Sequence, residues 1–314
     1  MKLAIVCRPY SFHGGIETST AGLLDELVRQ GHAVDLFSTA GQREVPGVRL
    51  RRLPALRHPS ALRLLSFGLA ARRASRSGAY DIVQSHERGL FQDIYRAGEG
   101  CHRAYLSAMG RSRTQVNPYH RLVLLLEKRI FGLVAARHIV SISNHSKAEI
   151  ERLYATPTGR VSVVYNGVDL SRFHPGNRGR LRGDARAELG LGAEDRVILF
   201  VGSGFERKGL GPLIEALARL RWRDGRIVVA GKGDPRPYRE LAGRLGLDAQ
   251  LRWAGPVERI ERLYAAADVV ALPALYEPFG NVHLEALASG VPVLTSQSAG
   301  GAEVVRAGRT GWIV

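Results

Sequence analysis

A chain of 314 residues that is 45% hydrophobic can bury two cores, and its length suggests two domains before any motif is read. Its longest apolar runs, such as 122–126 and 197–201, fall far short of the roughly 20 residues a membrane-spanning helix needs, which excludes that class. The formal charge of +16 points to an anionic partner.

From the N-terminus, Met1-Lys2 leads directly into LAIVC with no apolar signal core, so a cytoplasmic location is expected. Strand-like runs follow at KLAIV (2–6), AVDLF (33–37), DIVQS (81–85), HIVSI (138–142) and VSVVY (161–165), separated by helix-length segments. Repeated strand, helix, strand predicts a parallel α/β sheet. RRLPALRHPSALRLLSFGLAARRASR (51–76) interleaves Arg with Leu. Its later part reads equally as a basic amphipathic helix on an anionic membrane and as a domain helix with a solvated face; the helix-length 119–138 offers a similar face. Residues 1–160 hold 24 basic and 12 acidic residues against 21 and 17 in the remainder, so the first half carries the field.

The turn formers of 166–169 and 173–176 break both periodicities and place a hinge near 166–180. The predicted domains are therefore 1–165 and 166–314. The second half repeats the rhythm with RVILFVG (196–202), a helix over 209–220, RIVVAG (226–231), LRWAG (251–255), DVVALP (268–273) and VPVLT (291–295). That predicts a second doubly wound sheet, with ligands in a cleft at the carboxyl ends of the strands. The closing GRTGWIV reads as a turn and one more strand with no helix to cover it, which suggests a C-terminal truncation. Cys7 and Cys101 lack metal or redox spacing and are expected as buried thiols.

Two strings carry most of the chemistry. In YEPFGNVHLEALASGVPVLT (276–295) a strand runs through a loop into a helix, with Glu277 expected at the helix entrance and Glu285 two turns in, roughly 12 Å along the axis. That spacing suits a nucleotide sugar, with one carboxylate at the sugar hydroxyls and the other at the ribose diol. Amides around Phe279, Gly280 and Asn281 would face a diphosphate. The alternative is a solvated cap and a surface charge. In VGSGFERKGL (201–210) a glycine-bearing turn brings Arg207 and Lys208 to a helix start, a bidentate donor beside a compact charge, as a phosphate clamp requires; in so basic a chain an Arg-Lys pair also arises by chance.

Weaker signals lie in the first half. Gly14-Gly15 after the first strand permits close approach of backbone to ligand. In GEGCHRAY (98–105), Glu99 and His102 are acceptor-side candidates, the alternative being an ordinary loop acid and a half-buried histidine. SHERG (85–89) lacks the second histidine of a zinc motif. No G-x-G-x-x-G, no P-loop and no D-x-D occurs, so no cofactor and no metal is expected, with Arg207 and Lys208 taking the place of a donor-bound cation.

Taken together, GGIE (14–17), YNGVD (165–169), the 202–209 turn and E-x7-E (277–285) resemble the retaining glycosyltransferases of family 4, and most nearly the lipopolysaccharide core glucosyltransferase I group. The resemblance implies a GT-B fold of two Rossmann-like domains facing across a cleft, the first binding the acceptor and the second a nucleotide-diphospho-sugar. It implies that Arg207 and Lys208 hold the diphosphate, Glu285 the ribose, and Glu277 with the 279–281 amides the sugar. Gly15 would reach the phosphate side from the first domain, and Glu99 would stand on the acceptor side. UDP-glucose and a glycolipid or saccharide such as lipopolysaccharide core are the expected substrates, with peripheral attachment to an anionic membrane. The alternatives are a sugar-nucleotide epimerase or a membrane-associated protein with a vestigial site. Nucleic acid is not an expected partner, because RNP aromatics, zinc fingers and recognition-helix signals are not evident.

Overall fold

The structure, a computed structural model, describes residues 1–9, 15–111, 117–220, 222 and 224–314. The chain divides into two compact units, Met1–Asn166 and Gly167–Val314.

The first unit contains a seven-stranded parallel sheet. Its strands are β1 (Lys2–Val6), β2 (Ala33–Ser38), β3 (Val48–Arg52), β4 (Ile82–Ser85), β5 (Gln92–Ala97), β6 (Ala136–Ser141) and β7 (Val161–Val163), in the order β3-β2-β1-β4-β5-β6-β7. Among the described residues five α-helices accompany it: α1 (Gly15–Arg29), α2 (Ser60–Ser77), α3 (His102–Ala108), α4 (Pro118–Phe131) and α5 (Asn144–Tyr154). Residues of β1 alternate between faces. Ile5, with Cys7 just beyond the strand, packs with Leu24 of α1, and Ala4 and Val6 pack with Phe67 and Ala71 of α2. Both faces are thus covered, as a parallel sheet requires. The order reverses between β1 and β4.

The second unit has six parallel strands: β8 (Arg196–Val201), β9 (Gly225–Ala230), β10 (Leu251–Gly255), β11 (Val269–Leu272), β12 (Val293–Thr295) and β13 (Gly311–Ile313), in the order β10-β9-β8-β11-β12-β13. Its helices are α6 (Gly176–Glu188), α7 (Leu210–Leu220), α8 (Arg236–Arg244), α9 (Glu261–Ala266) and α10 (Val282–Ala288). Ile198 and Phe200 face one core with Leu213 and Leu217 of α7, while Val197 and Leu199 face the other with Tyr264 of α9 and Ala286 of α10. The reversal here falls between β8 and β11, whose register pairs Val269 with Ile198. The two loops that follow these strands, 202–209 and 273–281, are the two strings singled out in the sequence.

Several boundaries depart from the sequence reading. β3 was not anticipated, because VRLRR alternates arginine with aliphatic residues at an edge and reads as a polar run. The segment 119–138 is not one helix: α4 stops at Phe131, Leu133 takes a left-handed φ of 61°, and β6 begins at Ala136. Among the described residues no helix is long and apolar enough to cross a membrane. Cys7 and Cys101 are free and buried.

Candidate functional site

The turn after β8 is built on Phe205, buried against Phe200, Tyr238 and Trp253. With that ring as anchor the chain makes one tight turn, closed by Lys208 N–H to the Gly204 carbonyl at 3.2 Å and Leu210 N–H to the Phe205 carbonyl at 3.1 Å. Gly209, at φ 80°, passes so close to the Pro273 carbonyl that a Cβ there would overlap it; only glycine lets the turn after β8 touch the strand end of β11. The Leu275 amide then donates to the Arg207 carbonyl at 2.8 Å, which fastens the two loops side by side.

That fastening brings three charges together. Arg207 Nη1 donates to the Tyr276 carbonyl at 2.8 Å and to Glu277 Oε2 at 3.0 Å, and Lys208 Nζ lies 3.3 Å from the same oxygen. Glu277 is buried, and its backbone is pinned to the segment after β12: its N–H donates to the Ser298 carbonyl and its carbonyl accepts from the Gly300 N–H at 2.8 Å. Burial pushes the Glu277 carboxyl up, but Lys208 and Arg207 overcome it and hold the group below the usual carboxylate range. Two cations against one carboxylate leave a net positive charge, half-buried on the Arg207 side, where an anion gains more than it would in open water.

The segment that follows corrects one expectation. Glu285 lies in the first turn of α10, not two turns into a helix, and Glu277 precedes that helix by five residues. Gly280, at φ 83°, is the cause: its backbone conformation cannot belong to a right-handed helix, so the helix starts only at Val282. The Gly280 turn is held from beneath by His283, whose Nδ1 is 2.7 Å from the Gly280 carbonyl and whose Nε2 is 2.8 Å from Thr295 Oγ1. A carbonyl only accepts, so Nδ1 carries the proton and Nε2 accepts from the threonine hydroxyl. Burial, partly offset by the Gly280 bond, lowers the His283 pKa and keeps the ring neutral. Phe279 anchors the same turn through its fully buried ring, and Asn281 is buried beside it. Glu285 accepts from the Tyr264 hydroxyl at 2.6 Å; burial raises its pKa against that bond and the attraction of Arg172 and Lys208.

In the first unit, Glu99 is not an isolated loop acid. Its two oxygens are taken by Arg8, which leaves β1, and by Arg88, which leaves β4. Burial raises its pKa, but the two guanidiniums together hold it low. Arg8 also bonds Glu87 at 2.7 Å, and Arg88 continues to Glu127 at 3.0 Å. Glu127, fully buried in α4, accepts from the His102 amide at 2.6 Å and from the Tyr154 hydroxyl at 2.7 Å, so it serves as the cap that the α3 N-terminus lacks in its own sequence. His102 is half-buried and stacks on His120, with Nε2 2.9 Å from its Nδ1. Burial, then the nearby Arg88, lowers the His102 pKa to about 4. His86 of SHERG is buried between Thr20 and Gln84, with its pKa lowered to about 3 by burial and then Arg96. Gly15 is the first residue of α1; Gly14 and the rest of the 10–14 loop lie outside the described residues.

Arg8, Glu127, His283 and Tyr264 went unnamed in the sequence reading. Arg8 directly follows the first strand and was open to discovery from that position alone. Glu127, a lone acid inside LVLLLEKRIF, carried a signal as a charge on an apolar face. The roles of Tyr264 and His283 depend on partners 21 and 12 residues away, which local spacing does not encode. Among the described residues no cluster of three or more His, Cys, Asp or Glu is placed to hold a metal ion.

Two family models match the chain: Glycosyltransferase Family 4 over residues 13–172 and Glycosyl transferases group 1 over residues 182–314. A D-inositol 3-phosphate glycosyltransferase of Corynebacterium efficiens is 30% identical, over 96% of this chain and 78% of its own length. Among solved structures, that of WaaG, a glycosyltransferase involved in lipopolysaccharide biosynthesis, superposes with a TM-score of 0.87 at 23% identity, over 99% of this chain and 85% of that one. Anabaena HepE in complex with UDP-glucose superposes with a TM-score of 0.73 at 20% identity, over 100% of this chain and 85% of that one.

Proposed function

The chain belongs to glycosyltransferase family 4 and has the GT-B fold, and from that premise we propose that it moves a hexose from UDP-glucose to a glycolipid or saccharide acceptor such as a lipopolysaccharide core intermediate. The observation that carries the reading is the meeting of Arg207, Lys208 and Glu277 at the carboxyl ends of β8 and β11, the reversal point of the second sheet.

Arg207 and Lys208 receive the diphosphate. Glu277 keeps both cations extended toward it and turns its remaining oxygen to the sugar hydroxyls, with the 279–281 turn alongside. Glu285 accepts from the ribose diol. The carboxyl edge of the first sheet takes the acceptor, and Glu99 contributes there by holding Arg8 and Arg88 in place. The bond from C1 of the sugar to the diphosphate oxygen breaks with its electron pair going to the diphosphate, whose charge the two cations stabilise. The acceptor oxygen bonds C1 from the same face, and its proton passes to the departing phosphate oxygen. The anomeric configuration is retained with neither protein nucleophile nor metal. HepE was solved with UDP-glucose, which supports the choice of donor.

The test is transfer from UDP-glucose to a lipopolysaccharide core saccharide in EDTA, with the product's anomeric proton read by NMR. An α-linked product supports the reading. An inverted product, a trapped glycosyl-enzyme adduct or a strict demand for metal overturns the mechanism.

A further inference from the structure

Tyr264 is fully buried in α9. Its ring meets Phe173 edge-on, with centroids 5.7 Å apart at 82°, and Phe173 belongs to the same core. The ring therefore cannot swing, and the phenol oxygen has one position, 2.6 Å from Glu285 Oε2. Burial, reinforced by the neighbouring carboxylate, raises the tyrosine pKa well above its usual value, so the hydroxyl remains a donor at every working pH. Glu285 has no second bond of this kind among the described residues: Oε2 is engaged by Tyr264, and Oε1 is the oxygen left to act.

We propose that Tyr264 is a positioning residue for nucleotide recognition, its hydroxyl fixing Glu285 Oε2 so that Oε1 is presented to the ribose diol. The inference rests on the donor site assigned above and names a residue on which that site's choice of a ribonucleotide depends. A glutamate has three side-chain torsions, and a diol accepts only a carboxylate set at one angle. One bond from a rigid phenol removes that freedom before the ligand arrives, which is how a positioning group raises affinity without touching the ligand. The bond also favours the ionised carboxylate, which is the form that accepts from two hydroxyls. The other charges that act on Glu285 are Arg172, ahead of α6, and Lys208, ahead of α7, and both favour the same form.

Tyr264→Phe tests this, because it keeps the ring and its packing on Phe173 and removes one oxygen. Binding of UDP, GDP and ADP, each beside its 2′,3′-dideoxy counterpart, is measured by calorimetry on wild type and variant between pH 5 and 8. The expected result is that the nucleotide the wild type binds best weakens about tenfold in the variant, the scale of one charge-assisted hydrogen bond, while its dideoxy counterpart is unchanged. The acid limb of binding moves to higher pH in the variant, since loss of the donor lets burial raise the Glu285 pKa further. A residue that only fills the core would shift the melting temperature and leave both the ribose preference and the acid limb where they were; that result overturns the inference. A wild type that binds a diphosphate but does not distinguish ribose from dideoxyribose also overturns it while leaving the diphosphate site standing. If no nucleoside diphosphate binds the folded wild type, the inference falls together with the function it rests on.

Discussion

At the scale of single residues, Glu277 is ionised where burial alone would neutralise it, and the cause is the pair of cations within 3.3 Å. Replacing it with Gln leaves Arg207 and Lys208 facing each other without a counter-charge. The expected cost is about 3 kcal/mol, near the low end for breaking a buried pair because Arg207 can turn toward solvent. Calorimetric unfolding checks this. The linkage has a definite sign: a carboxyl whose folded pKa lies below its unfolded value contributes stability above about pH 4.3, lost as the pH falls through the folded value. Glu277→Gln therefore flattens stability against pH on the acid side. The meeting of this carboxylate with the two cations was legible in the sequence because all three lie in loops that follow strands of the second sheet. Glu99 was legible as an acid after β5, but its double engagement with Arg8 and Arg88 was not, since those arginines come from two other strands.

At the scale of elements, α6 shows how a helix with little apolar surface is held. Arg178, Arg182 and Arg186 stand one turn apart, and all three reach Asp268 just before β11, at 3.1, 2.7 and 2.9 Å. Asp268 also accepts from the Val197 amide at 2.9 Å, so one carboxylate ties α6 to β8 and β11. Burial raises its pKa, but the Val197 amide and Arg182 bring it below the usual range. Asp268→Asn removes the charge and leaves three guanidiniums on a neutral amide; we predict a loss of about 2 kcal/mol, in the range for breaking such a network. That corresponds to a melting point lower by roughly 4–8 °C, with nucleotide affinity unchanged. Most strands of both sheets were legible as β-type runs between helix-length stretches; the edge strand β3 was not, and the order of the strands, with its two reversal points, came from the structure. The start of α10 was misplaced because the E-x7-E spacing reads as helix, whereas Gly280 interrupts it with a left-handed residue.

At the scale of the whole molecule, charge is divided unevenly between the two units, with twelve of the sixteen excess positive charges in residues 1–160. In α2 the exposed Leu62 and Leu69 stand among exposed Arg63, Arg73 and Arg76, while Phe67 and Ala71 face the core. A face of outward leucines beside arginines has the chemistry of a helix that lies on an anionic bilayer, which vesicle binding can test. We predict co-sedimentation with vesicles containing 30% phosphatidylglycerol, roughly tenfold weaker at 0.5 M than at 0.1 M salt, and lost in an Arg63→Glu/Arg73→Glu variant that keeps wild-type nucleotide affinity. Binding to neutral vesicles with equal strength would remove the electrostatic basis of that prediction. The division into two parallel sheets was legible from the order of strand-like runs.

Arg207 and Lys208, gathered by Glu277, are proposed to hold the diphosphate of a nucleotide sugar. Calorimetric titration of UDP, UDP-glucose and GDP into wild type and an Arg207→Ala/Lys208→Ala variant tests it most directly. Micromolar binding of the uridine ligands to wild type is expected, with a loss of at least a hundredfold in the variant while it still melts cooperatively, because two charge-assisted phosphate contacts are removed from a half-buried site. Equal binding to a folded double variant would contradict it.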